Sequence, residues 1–277
     1  MSKSAIVLDE TETSPYLPVT IGQAKVDSMI ATTLGGEPLT PSDLDKAVNP
    51  AGKSTKWSIP DVDGTNIEIA EPVGVIVHSK TKRAFYIKDY DGSSERPDCY
   101  SDDGITGHGD QADAVGGLCA NCPLSQFGSG KNGSQACDQK KRIWMLMEGD
   151  MLPTVIDMTP INFRALRKYG VKLVNKRHKD LNEVVSKISA VTQTSASGFP
   201  YPHVTISLVE ELAPDAAAKM VAYSESMVPM LEATSIRDEA REVQPETDDA
   251  PVEEPRTKQA AAPKKVHPQP PGEDLEF

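Results

Sequence analysis

Apolar residues in this chain fall into short, β-branched runs separated by Gly, Pro, Asn and Asp, a pattern that predicts strands more than helices. Segment 56–59 is short and closed by Pro60 and the turn-forming pair Asp63 and Gly64. Segment 73–78 is a dense β-branched run, and 83–88 follows after the polar stretch 79–82, so the two read as a hairpin. Segments 142–148 and 154–158 form a second apolar pair across Gly149 and Asp150, and 184–194 with 203–210 a third across a Ser/Gly/Pro loop.

Two helices stand out. Thr159 and Pro160 read as N-cap and first helical residue, because proline fixes φ and needs no donor there. Phe163, Leu166, Tyr169 and Leu173 then share an inward face, while Arg164, Lys168, Lys172 and Lys176 repeat every four residues on another. Pro214 opens an alanine-rich helix that Pro229 kinks or ends. Some six short strands with two helices predict a mainly β or α+β chain: a small closed barrel with a helical plug, although an open α+β sheet fits the same inventory. Residues 1–18 read as a flexible N-terminus, 19–233 as one domain, and 234–277 as a disordered tail. The tail combines Pro245, Pro251, Pro255, Pro263, Pro268, Pro270 and Pro271 with acidic residues and no apolar period.

Composition changes this picture in two ways. Hydrophobic residues make up 38% and aromatics 5%, consistent with part of the chain staying unpacked. No apolar run approaches the roughly 20 residues that span a bilayer, and residues 1–10 have no signal-peptide centre, so the expectation is a soluble, cytoplasmic protein without membrane contact. The net charge of −12 argues at first against nucleic acid. Its distribution reverses that argument: 234–277 and 89–113 are strongly acidic, whereas 138–187 holds eleven basic residues against six acidic ones. A binding surface is a local property.

Chemistry concentrates in one place. Cys99, Cys119, Cys122 and Cys137 are the chain's four cysteines, and Cys119 to Cys122 is a C-x-x-C knuckle in a glycine-rich stretch, 91–138, that reads as an insertion. One tight turn can aim two sulfurs at a single ion, and Zn²⁺ prefers tetrahedral thiolate, so a structural zinc site is expected, with His108 as a candidate replacement for one cysteine. Two disulfides are the rival reading, disfavoured in a reducing cytosol; a catalytic C-x-x-C would need a βαβ context that is missing. Asp102 and Asp103 could serve a metal-dependent nuclease, the weakest alternative. Gly52, Lys53 and Ser54 do not make a phosphate loop, because the required first glycine is Ala47. No catalytic motif emerges, and no enzymatic activity is expected.

A basic stripe runs through Arg164, Arg167, Lys168, Lys172, Lys176, Arg177 and Lys179 with no intervening acid. Lys140, Lys141 and Arg142 lead into Trp144, and Arg83 precedes Tyr86, with Tyr90 close behind. Cations interleaved with rings suit single-stranded nucleic acid, where phosphates need charge and unstacked bases need flat apolar partners. The chain ends in Asp274, Leu275, Glu276 and Phe277, an acidic tip whose ring and terminal carboxylate can dock into a pocket on another protein.

The cysteines set between β-hairpins and the acidic tail closing on Phe277 resemble the replicative single-stranded DNA-binding proteins of tailed phages, especially those with a zinc-bearing loop in an OB-fold. Bacterial single-strand binders end in a similar acidic tip. The resemblance implies an OB-like barrel gripping single-stranded DNA, a tail that recruits replication and recombination proteins, and, for a phage origin, the host cytoplasm. Zinc-bearing members place a histidine among the ligands, where this chain offers four cysteines. The alternative is a zinc-containing protein-interaction adaptor of a phage replication or transcription complex that does not touch DNA.

Overall fold

The structure is a computed structural model that describes residues 23–88, 96–109, 112, 117–195, 198, 200–233 and 235–237. The flexible N-terminus expected at 1–18, Tyr90, and residues 238–277 of the expected tail, with its tip Asp274, Leu275, Glu276 and Phe277, lie outside the described residues; the first described residues of that tail, Ser235 and Ile236, are instead held by Asp102. The described part is mainly β, as expected. Its elements are α1 (Gln23–Thr33), β1 (Lys46–Ala47), β2 (Trp57–Pro60), β3 (Asn66–Ile69), β4 (Val73–Phe85), β5 (Cys99–Ser101), β6 (Asp138–Met147), β7 (Thr154–Met158), α2 (Phe163–Arg177), β8 (Val184–Thr194), β9 (Pro200–Glu211) and α3 (Pro214–Leu231).

Seven strands form one sheet in the order β1-β7-β6-β4-β8-β9, with β5 added beside β4; β2 and β3 form a separate hairpin. Only β1 and β7 run parallel; the other pairings are antiparallel. β4 is the spine. Residues 74–84 pair with β6, while on the other edge 73–75 meet β8 and 83–85 meet β5. A register shift between Ile76 and His78 bends this strand, and a bulge of that kind increases local twist. The sheet therefore curls into half a barrel. At the open seam, the Val204 amide donates to Asn162 Oδ1 at 2.9 Å, tying β9 to the turn before α2.

The expected hairpin of 73–78 with 83–88 is corrected here. Residues 79–82 are not a turn but the middle of one continuous strand. They contain no Gly, Pro, Asn or Asp to reverse the chain, and each finds a partner on β6 from Ile143 to Lys140. The second and third hairpins form as expected. α3 runs on through Pro229 to Leu231.

Both faces of the central strands are covered, which explains their near-continuous apolar runs. On one face, Val75, Val77, Trp144, Leu146, Val155 and Val185 pack against Ala216, Ala217, Met220, Tyr223, Met227 and Leu231 of α3. On the other, Ile76, Ile143, Met145, Ile156 and Ile188 meet Trp57 and Ile59 of the small hairpin and Leu166 of α2. Further along α2, Tyr169 and Leu173 close over Val184, and the Tyr169 hydroxyl hydrogen-bonds Ser186 at 2.8 Å.

Trp144 is thus a core residue, 1% exposed, and is corrected from base-stacking ring to packing group: α3 leaves it no free face. Its indole Nε1 is buried with no hydrogen-bond partner among the described residues. Trp144→Ala is expected to cost about 3–5 kcal/mol of stability. Trp144→Phe should cost much less, since no hydrogen bond is lost. Urea unfolding of the two variants checks this ordering; equal losses would contradict it.

Candidate nucleic-acid interface and cysteine centre

The expected cations divide into two groups. On α2, Arg164, Arg167, Lys168, Lys172 and Lys176 are all exposed and make no ion pair among the described residues. The helix contains no acidic residue, and Val171 and Val174 are exposed among the cations. Its apolar stripe faces inward through Leu166, Tyr169 and Leu173, which forces the charged stripe out. Beyond these, Arg177 lies 3.5 Å from Glu211, and Lys179 pairs with Glu183 at 3.0 Å.

The second group sits on the β4–β6 ladder. Lys80 stands opposite Arg142 and Lys82 opposite Lys140, and residues directly opposite in an antiparallel pair share a face. The sequence reading missed Lys80 and Lys82, although a Lys-x-Lys alternation within a strand signals one face. This is the face that α3 covers further along, whereas α2 packs on the opposite one. The α2 stripe and the side chains of Lys140 and Arg142 therefore address different sides of the sheet. Lys141, on the α2 side, reaches Thr81 Oγ1 at 3.4 Å, and partial burial lowers its pKa.

Arg142 is corrected as well. It is buried, and its Nε and Nη2 donate to Asp157 Oδ1 and Oδ2 at 2.7 and 2.8 Å, a fork-on-fork geometry that leaves it closed to a phosphate. Lys46 Nζ adds a contact to Asp157 Oδ2 at 3.1 Å. Burial alone would raise the Asp157 pKa, but the Arg142 hydrogen bonds and charge, followed by Lys46, win and hold it below the usual carboxylate range. Lys82 is also buried. Lys80 Nζ meets Glu232 Oε2 at 2.7 Å, and His78 Nε2 meets Glu232 Oε1 at 2.9 Å.

Rings are placed differently from expectation too. Tyr86 is half-buried. The most open ring among the described aromatics is Phe127, 79% exposed, within the insertion between β4 and β6. Tyr201, half-buried near the β8–β9 turn, donates from its hydroxyl to Gln193 Oε1 at 3.0 Å.

The insertion brings all four cysteines to the wall of one pocket, shared with Gly107, Ala112, Gly117, Leu118 and Ser125. β5 holds Cys99 opposite Phe85, and the Cys137 amide donates to Leu124 O at 2.8 Å just before β6 begins. Cys119 opens a single 3-10 turn that ends on Cys122, and the Ser125 hydroxyl reaches the carbonyls of both at 2.6 and 2.8 Å. A Cβ built on Gly107 would stand 3.7 Å from the sulfurs of both Cys99 and Cys119. One built on Gly109, whose φ is +111°, would collide with the Asp98 carbonyl. All four thiols are free. Burial, then the charges of Cys119 and Cys122, raises the Cys99 pKa; burial pushes that of Cys137 up to about 12 against the pull of Arg83. Among the described residues, no three His, Cys, Asp or Glu side chains close into a preformed metal group. His108 does not line the pocket; its ring lies 5.3 Å from that of Tyr100.

The acidic pair is spent on structure. Asp103 Oδ1 accepts from Ser101 Oγ and the Ile105 and Thr106 amides, and these bonds outweigh burial to lower its pKa to about 2. Asp102 accepts from Ser235 Oγ and the Ile236 amide, both at 2.7 Å. No helix among the described residues is long and apolar enough to cross a membrane. Compared with known proteins, the chain matches no family model, no curated protein and no solved structure.

Asp157→Ala would strand Arg142 as a buried, uncompensated charge, at an expected cost of about 3–5 kcal/mol in chemical denaturation. Folding depresses the Asp157 pKa, so its stabilisation is full above the ordinary value of 3.8 and fades as pH falls toward the folded value. The gap between wild type and Asp157→Ala should therefore be wide at neutral pH and narrow in acid. A gap that widens on acidification would contradict the pairing.

Proposed function

We propose that this chain is a sequence-tolerant single-stranded DNA-binding protein of replication or recombination, not an enzyme, built on an OB-like half-barrel whose insertion is held by structural Zn²⁺. The observation that carries the reading is the row of exposed, unpaired cations on α2. Phosphates compensate such a row, and nothing else among the described residues does.

Strand order supports the OB part. β4, β6, β7, β8 and β9 come in that order along the chain, with β5 inside the insertion after the first and α2 between the third and fourth, and β4 pairs with both β6 and β8. An OB-fold opened between its third and fifth strands has that arrangement. In OB-folds the first-to-second and fourth-to-fifth connections contact oligonucleotides. Here those connections carry Phe127 and, at the edge of β9, Tyr201. The zinc part is supported by the pocket common to Cys99, Cys119, Cys122 and Cys137 and by the soft, all-thiol donor set. The bound ion would add its own free energy to the β5 pairing and the Asp102 and Asp103 hydrogen bonds that hold this apolar-poor loop. The partner-recruiting tip, Asp274 to Phe277, rests on its sequence alone.

A second reading, the zinc-containing adaptor, is favoured by Ile105, Leu118 and Phe127, each of them exposed on the insertion. Fluorescence anisotropy with labelled oligo-dT separates the two. The DNA reading expects saturable binding whose log affinity falls with log salt by about 0.7 per neutralised phosphate. Replacing Arg164, Lys168, Lys172 and Lys176 with Gln should shallow that slope by roughly 0.7 per cation engaged, and Phe127→Ala should cost roughly 1–3 kcal/mol of binding. A flat salt response, or no saturation at micromolar protein, rejects it in favour of the adaptor.

A further inference from the structure

Arg83 was expected on phosphates, but its side chain is turned into the protein. On β4 it stands opposite Ser101 of β5 and Gln139 of β6. Cys99 lies two residues before Ser101, and Cys137 two before Gln139. Arg83 thus stands on β4 between the strand neighbours that follow Cys99 and Cys137, at the foot of the insertion. Its Nε and Nη1 are fully buried and find no hydrogen-bond partner among the described residues. Two buried, idle N–H donors of a guanidinium are costly unless an anion meets them, because each has given up water without replacement. The guanidinium lies close enough to Cys137 for its charge and hydrogen bonding to act on that sulfur.

Four thiolates on a dication carry a net double negative charge, and this charge must be balanced inside the protein if the loop is to stay closed. N–H donors to coordinated sulfur balance it without joining the coordination sphere. We propose that Arg83 is the outer-sphere partner of the tetrathiolate centre: its guanidinium, two of whose nitrogens are buried, hydrogen-bonds the metal-bound sulfur of Cys137 and offsets the charge of the cluster. This rests on the zinc reading above. Arg83 is then a positioning residue for the metal site and not a contact for DNA.

The test uses the full chain loaded with Co²⁺ or Zn²⁺. In wild type, Co²⁺ should give thiolate-to-metal charge-transfer and tetrahedral d–d bands at one ion per chain. Arg83→Met, which keeps the apolar stem and removes charge and donors, should keep the band shape but bind Zn²⁺ roughly 10–100-fold more weakly against a chromophoric chelator. Arg83→Lys, which keeps the charge without the fork, should fall between. Oligo-dT affinity at saturating Zn²⁺ should be unchanged in both. Zn²⁺ affinity of folded Arg83→Met within about twofold of wild type overturns the proposal, as does a selective loss of oligo-dT affinity at full metal occupancy. Should Arg83→Met not fold, NMR of the wild-type protein loaded with an NMR-active cadmium isotope decides. Coupling between the metal and the Arg83 side-chain protons supports the contact, and solvent-exchanging Arg83 protons without coupling overturn it. Absence of any thiolate-to-cobalt band in wild type rejects the zinc centre itself, and the proposal with it.

Discussion

The ladder between β4 and β6 is the constraint on which the described structure depends. Through its first residues β4 is apolar and covered on both sides, by α3 on one face and by β2 and α2 on the other. Past the irregularity at Ile76 and His78 the same strand turns polar, and its partners change from the core residues Met145 and Leu146 to Lys140, Lys141 and Arg142. A single strand thus joins a core that folds by burial to a charged end that folds by pairing. The bend between the two halves curls the sheet. It also leaves the edge of β4 that β8 occupies at one end open to β5, and so to the cysteine insertion, at the other.

Cations on this ladder and on α2 differ in physical kind, although the sequence writes them alike. Arg142 is held in place by Asp157, and withdrawing either partner leaves a charge in a low-dielectric interior. The α2 cations are solvated, held apart by helical spacing, and cost little where they stand. Only the second kind can exchange water and counterions for phosphate at a profit, since a buried ion pair has already exchanged its water for a carboxylate. A basic count along the chain therefore overstates the ladder as an interface and understates the helix.

Much of the fold was legible because strand and helix periods are local. The run 184–194 is rich in β-branched residues and is closed by a Ser/Gly/Pro loop, so β8 is read with its true bounds, and the inward face of α2 follows from Leu166, Tyr169 and Leu173. Segment 79–82 was misread because polarity suggested a turn, whereas polar residues suit a strand whose ladder is complete. β1 and β5, two and three residues long, are below the length at which any period shows, and they exist only because β7 and β4 offer an edge. Trp144 following a basic run looks the same in sequence whether it stacks or packs; α3, far along the chain, decides. The cysteine pocket was legible from spacing alone, because a C-x-x-C turn needs no distant information to aim two sulfurs together.

The insertion shows how a segment poor in apolar residues is kept in place. Sheet pairing anchors it through β5, and two carboxylates act as internal staples: Asp103 gathers the Ser101 hydroxyl and the amides of Ile105 and Thr106, while Asp102 reaches across to Ser235 and Ile236. Ile236 is buried and Arg237 lies 6.0 Å over the Tyr100 ring, so the chain that leaves α3 is sewn to the same loop. These contacts fix the rim of the insertion. Its centre is a pocket walled by four thiols with idle arginine donors beside one of them, and polar staples at the rim cannot satisfy either. The hydrogen bonds of the rim and the thiol-walled pocket at the centre are thus separate features of one insertion, the first built from carboxylates and amides and the second from sulfur.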